Sequence, residues 1–139
     1  MTPTPFVQRN PYKGSLSRAW IRLRFSEPSG ALWEGEFLAD TGCAHEVVVG
    51  LSVLARLRRR AAMNVNTNFG WLVGAWLELS MPELGLVCPL VGFGNDRIVA
   101  GARASSPDFE GLVGLPFLRL IEYGGDANWF WIRPAGGTP

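Results

Sequence analysis

At 139 residues, 47% of them hydrophobic and 18% charged, the chain can bury one real core but is too short for two independent domains. A formal net charge of +1 gives no general reason to expect nucleic acid or an acidic partner. Seventeen glycines and ten prolines favour turns over long helices, so an all-β fold with one or two short helices is expected.

Residues 1 to about 15 read as an extended, poorly patterned arm, followed by one domain over 16–133 and a tail at 134–139. In Trp20-Ile21-Arg22-Leu23-Arg24-Phe25 the apolar residues alternate with arginines, as in a strand with one wet face. Glu27-Pro28-Ser29-Gly30 is a turn signal, and the strand after it, 31–39, leads directly into Asp40. Val47-Val48-Val49 is a further strand. Leu51, Leu54 and Leu57 then recur at helical spacing, so a short helix ending near Arg60 is expected. Strands at 63–65 and 71–79 flank Asn66-Thr67-Asn68-Phe69-Gly70, a second hairpin with a polar tip. Leu86 to Phe93 is another strand, with Pro89 pointing to an edge or a bulge. The stretch 94–110 is polar and contains Gly, Ser and Pro, so a loop open to disorder or cleavage is expected there. Pro116 suits the first turn of a helix carrying Phe117, Leu118 and Ile121. Trp129-Phe130-Trp131-Ile132 forms a terminal strand too apolar for an exposed edge, which suggests pairing with a second subunit.

Cys43 and Cys88 are too few and too irregularly placed for a disulfide framework or a metal site, and no cofactor is expected. They fit reduced thiols in a cytoplasm. Met1 to Pro11 has no apolar core of leader length, and no later stretch is long enough to span a bilayer. Arg56, Arg58, Arg59 and Arg60 form the basic run, read as a solvated helix end. No aromatic stacking motif accompanies it, so nucleic acid is not expected as a partner.

Asp40-Thr41-Gly42 is the feature richest in chemistry. It lies between Phe37-Leu38-Ala39 and Val47-Val48-Val49, and a carboxylate in such an apolar frame is best explained by binding or reaction. Aspartic proteolysis fits, but it needs two carboxylates sharing a proton. The chain has one such tripeptide, so the second carboxylate is expected from another copy.

The ordered set of Phe37 to Gly42, Val47-Val48-Val49, the hairpin tip Asn66 to Gly70, and Leu112-Val113-Gly114 before Pro116-Phe117-Leu118 resembles the retropepsin-like aspartic proteases. The likeness runs from about Trp20 to Ile132 and implies an acid-protease barrel with one lobe per chain. It further implies a homodimeric endopeptidase acting on peptides, with Asp40 as catalytic carboxylate. Thr41, Gly42 and Cys43 then support the catalytic loop, the Thr41 hydroxyl bonding across the dimer axis. Asn66, Asn68, Phe69, Gly70 and Trp71 become a flap, and Leu112, Val113 and Gly114 the late apolar-glycine element. Cys43 and Pro116 depart from the residues usual at their positions in that family; the first replaces any hydroxyl contribution with a weak thiol one.

His45, the single histidine, invites a Cys43-His45 nucleophilic pair, but no orienting group or oxyanion site accompanies it. Asp96, Asp108 and Asp126 fall in loop-like surroundings and read as solvated carboxylates. The six tryptophans read as core or interface residues. The main rival is a catalytically inactive peptide-binding or assembly module of the same fold.

Overall fold

The computed structural model describes residues 6–136; residues 1–5 of the expected arm and 137–139 of the expected tail lie outside the described residues. In chain order the elements are β1 (Gln8–Pro11), β2 (Trp20–Ser26), β3 (Leu32–Asp40), β4 (Val47–Val49), α1 (Leu51–Leu57), β5 (Arg60–Ala61), β6 (Val65–Thr67) and β7 (Gly70–Met81). A 3-10 turn (Pro82–Leu84), β8 (Leu86–Gly94), α2 (Asp96–Arg103), β9 (Phe109–Gly114), α3 (Leu115–Leu118), β10 (Ile121–Gly125) and β11 (Trp129–Pro134) follow. The chain is all-β, with three short α-helices among the described residues.

Strand β2 forms because its apolar residues alternate: Ile21, Leu23 and Phe25 are fully buried, while Arg22 points out. Gly30, at φ +92°, turns the chain back, its N–H donating to Glu27 O at 2.8 Å. A left-handed residue at this position carries no steric penalty only when it is glycine. The hairpin pairs β2 with β3 from Trp20↔Leu38 to Ser26↔Leu32. Six strands then close into a barrel in the order β2-β3-β9-β4-β8-β7, β7 returning to β2 through Phe25↔Leu79 and Ser26↔Glu78.

Alternation divides the buried residues between two clusters. Phe37 of β3, Val47 and Val49 of β4, and Val113 of β9 face the main core with Phe25, Leu77 and Phe117. Their neighbours Leu38, Val48 and Leu112 face the other way, joining Trp20, Phe109 and Ala102 of α2. Each such side chain contributes about 1.5–3 kcal/mol by leaving water, so strands apolar on both faces need a cover on each side, and α2 is that cover for the second cluster.

The segment 94–110 is therefore no open loop. Asn95 caps α2, its side chain accepting from Ile98 N at 2.9 Å, and Val99 and Ala102 are its buried face. Its far end is tied to β9 by Arg103, which donates to Phe109 O at 2.9 Å and pairs with Glu110 at 3.2 Å.

The terminal strand is also corrected. β11 is the middle of a three-stranded sheet, β1-β11-β10, with both edges filled by its own chain. Phe130 and Ile132 are buried; on the other face Trp131 stacks on Phe6 at 4.9 Å and Arg9 lies over Trp129 at 4.7 Å. The apolar edge that argued for a second subunit is absorbed by β1, so residues 8–11 of the arm are an integral strand.

Helix α1 stops at Leu57, before Arg60, because Arg60 and Ala61 pair with Trp76 and Ala75. The basic run is dispersed: Arg56 pairs with Glu27 at 2.6 Å, Arg59 donates to Ser26 O and Glu27 O, and Arg60 lies over Trp76. The second hairpin is tighter than expected, with β6 at 65–67 rather than 63–65 and a tip at Asn68-Phe69 between the partners Thr67↔Gly70. Pro89 sits in unbroken register opposite Glu78, on a stretch of β8 that β4 does not reach. That places it on a local edge. Beside it, the free amide of Val91 is taken by Glu46 Oε2 at 2.9 Å. Among the described residues no helix is long and apolar enough to cross a membrane.

Candidate active site

Asp40 is the last residue of β3, which runs parallel to β9 with Asp40 beside Gly114. The strand ends there because the chain turns: Cys43 N donates to Asp40 O at 3.0 Å, and Gly42 N donates to the Asp40 Oδ1 carboxylate oxygen at 2.9 Å. The carboxylate is thus oriented by the backbone of its own turn. A Cβ on Gly42 would lie 3.2 Å from that oxygen, so a side chain there would crowd the group the loop presents.

Gly114 has a stricter reason to be glycine. A Cβ at that position would stand 2.6 Å from Cys43 O and still closer to His45 O, both rigid backbone atoms. The approach lets Gly114 N donate to Glu46 O at 3.0 Å and Leu115 N donate to Cys43 O at 3.1 Å. The late apolar-glycine element therefore braces the turn after Asp40. Leu112, in the same element, lines the cavity described next, whereas Val113 points into the main core.

Asp40 opens onto a cavity of about 520 Å³. Gly42 and Cys43 line it beside Asp40, and Asn68 and Phe69 of the hairpin tip line it from another side. Asn66, Gly70 and Trp71 are exposed and do not line it; Thr67 and Leu72 take part instead. Thr41 is exposed at the rim of the turn. Leu38, Ala44 and His45 also line it, and the facing wall is α2, through Arg97, Ile98, Gly101 and Ala102. Sequence reasoning missed this wall together with the helix. Asn95 followed by Asp96, with Arg103 seven residues on, was the available signal of a capped helix.

Asn95 connects these parts. It is 7% exposed, and besides capping α2 its amide donates to Phe69 O at 3.3 Å and Trp71 O at 3.2 Å. A buried amide with its donors and acceptor all used fixes what it touches, here the hairpin tip against the start of α2. Asp96 adds a second clamp, accepting from Leu51 N at 2.8 Å.

Cys43 is half-buried, and its Sγ reaches His45 O at 3.6 Å, not the imidazole. Burial pushes the thiol pKa up, the His45 backbone bond opposes this, and the Asp40 charge adds to the rise. A thiol held neutral is a poor nucleophile, while the His45 ring packs on Phe93 at 4.7 Å. The Cys43-His45 pair is not assembled.

The other aspartates are engaged elsewhere: Asp96 with Leu51, Asp108 with Lys13 at 3.5 Å, and Asp126 with the amides of Asn128 and Trp129 at 2.8 and 2.9 Å. Asp40 is the one carboxylate lining the cavity among the described residues. Searches against protein-family models, curated proteins and solved structures give no match for this chain.

Proposed function

We propose that two copies of this chain form one retropepsin-like aspartic endopeptidase, acting in the cytoplasm, in which the two Asp40 carboxylates share a proton. The observation that carries this reading is the cavity itself: a backbone-oriented carboxylate and a hairpin tip line the same space, as an extended peptide held over a dyad requires. The solitary Asp40 argues for the second copy, since Asp96, Asp108 and Asp126 are committed elsewhere. With β11 enclosed, association falls to the exposed Thr41 and Gly42 of the turn rather than to the terminal strand. Two free cysteines support a reducing compartment.

In such a pair the carboxylates are too close for both to ionise, and the titration belongs to the pair. The charged member takes a proton from water as its oxygen attacks the peptide carbonyl carbon, and the neutral member hydrogen-bonds the carbonyl oxygen. Collapse of the tetrahedral intermediate breaks the C–N bond, and the departing nitrogen leaves as the amine after receiving a proton from the dyad. The hairpin tip covers the peptide and excludes bulk water.

The test is digestion of a peptide library from mildly acidic to neutral pH by the native chain and by Asp40→Asn, with mass measured by sedimentation. Cleavage by the native dimer alone is expected. Adding Asp40→Asn to the native protein should lower its activity through mixed dimers. Equal cleavage by the two proteins, or an active monomer, would overturn the shared-dyad reading; dimers of both that cleave nothing would identify a binding module instead.

A further inference from the structure

The cavity wall that α2 supplies carries a charge that no other described residue pairs with. Arg24, Arg56, Arg103 and Arg133 are paired with carboxylates, whereas Arg97 has no ion pair or hydrogen bond among the described residues. It stands at the second position of α2, on a backbone fixed by the Asn95 cap and the Asp96 clamp. Around it the cavity is mostly apolar, with Leu38, Leu72 and Leu112 on the barrel side. Asp40 and Arg97 are its two charged side chains, and no ion pair joins them. Asp40 is the group assigned to chemistry, which leaves Arg97 as the cation available to an occupant.

We propose that Arg97 sets substrate choice: the cavity takes a peptide with an apolar side chain lodged among Leu38, Leu72 and Leu112 and an acidic side chain next to it, held by the guanidinium. A guanidinium presents parallel N–H donors that match a carboxylate in a bidentate fork, and such charged bonds strengthen where a peptide excludes water. An acidic residue there needs this cation for a second reason. Close to a dyad with one negative charge it would otherwise meet repulsion. Gly101, one turn beyond Arg97 in the same wall, borders open space, since a Cβ there would meet nothing within 4 Å. The inference rests on the peptidase reading for its cleavage arm and on the cavity alone for its binding arm.

Three decapeptides test it, identical except for Glu, Gln or Lys beside one Leu. Native protein is expected to cleave the Glu peptide about tenfold more efficiently than the Gln peptide, the yield of one good charged pair. Arg97→Gln should bring that ratio to about one by lowering cleavage of the Glu peptide, and Arg97→Glu should shift preference to Lys. Gly101→Leu should depress cleavage of the Leu-containing peptides and spare an Ala-containing set. Because Arg97 is exposed, its substitution leaves the fold intact. Fluorescence anisotropy of the same peptides on Asp40→Asn and on Asp40→Asn/Arg97→Gln gives the same comparison without chemistry. An equal Glu-to-Gln ratio with and without Arg97, in cleavage or in binding, overturns the proposal. Binding that depends on Arg97 without any cleavage overturns the peptidase reading and leaves this inference standing.

Discussion

Replacing Asn95 should loosen the hairpin tip and α2 by separable amounts. The buried side chain makes three bonds: it accepts from Ile98 N at 2.9 Å and donates to Phe69 O at 3.3 Å and Trp71 O at 3.2 Å. An N-cap is worth about 1 kcal/mol and a neutral hydrogen bond about 1 kcal/mol net, so Asn95→Ala should destabilise by roughly 3 kcal/mol. Asn95→Ser keeps a capping oxygen but cannot reach both carbonyls, and should lose roughly 2 kcal/mol. Urea unfolding reads these totals. Hydrogen exchange reads the location: in Asn95→Ser, amides of residues 66–72 should exchange roughly thirtyfold faster, the equivalent of 2 kcal/mol, while those of α2 change little. If hairpin exchange in Asn95→Ser matches the native protein, the two long donor bonds hold nothing, and the tip owes its position to the β6–β7 pairing alone.

Gly114→Ala drives a methyl group into backbone oxygens and should cost about 3 kcal/mol or more in urea unfolding. Gly42→Ala meets only the movable Asp40 carboxylate, at 3.2 Å, and should leave the unfolding midpoint nearly unchanged while, under the peptidase reading, lowering peptide cleavage. Cys43, whose pKa burial and the Asp40 charge raise, should alkylate more slowly than a free thiol at mildly basic pH, and Asp40→Asn should speed the reaction; an unchanged rate would remove Asp40 from the thiol's surroundings. For Asp126, the amides of Asn128 and Trp129, aided by Arg9, hold the carboxyl below its ordinary range. A folded pKa below the unfolded one gives stability that is present above the unfolded value and lost as pH falls through the folded value. The unfolding difference between the native chain and Asp126→Asn should therefore be full near neutral pH and shrink below about pH 4.

The parts of the fold written in short-range pattern were legible. Alternation in β2, the apolar run ending at Asp40, the turn formers around Asn68 and the Leu112-Val113-Gly114 element each announce themselves within a few residues, and the structure places elements there. What was not legible depends on partners far along the chain. Gln8-Arg9-Asn10 carries no strand pattern, yet it pairs with β11 more than 100 residues away because Phe130 and Trp131 need a neighbour. Helix α2 was hidden for another reason. Its apolar face is three residues, Ile98, Val99 and Ala102, set among Asp96, Arg97, Gly101 and Arg103, so local polarity reads as loop, and only the second face of β3, β4 and β9 makes burying it worthwhile. The cavity inherits both limits: its carboxylate was visible from sequence, and its α2 wall was not.

This division has a mechanical consequence for the candidate site. The Asp40 turn is held by backbone bonds, from Gly42, Cys43, Gly114 and Leu115, which most side-chain substitutions leave intact. The facing wall is held by side chains: Asn95 and Asp96 at one end of α2, Arg103 at the other. Bonds of the first kind keep Asp40 in register whatever α2 carries. Changes at Arg97 or Gly101 should then alter which peptide binds while leaving the dyad's pH profile in place, and changes at Gly42 or Gly114 should do the reverse. Under the peptidase reading, α2 variants act on binding common to ground and transition states, and turn variants on stabilisation of the transition state alone. A variant of Arg97 that shifts the pH profile of turnover, with peptide affinity unchanged, would show that the cation addresses Asp40 and not the substrate.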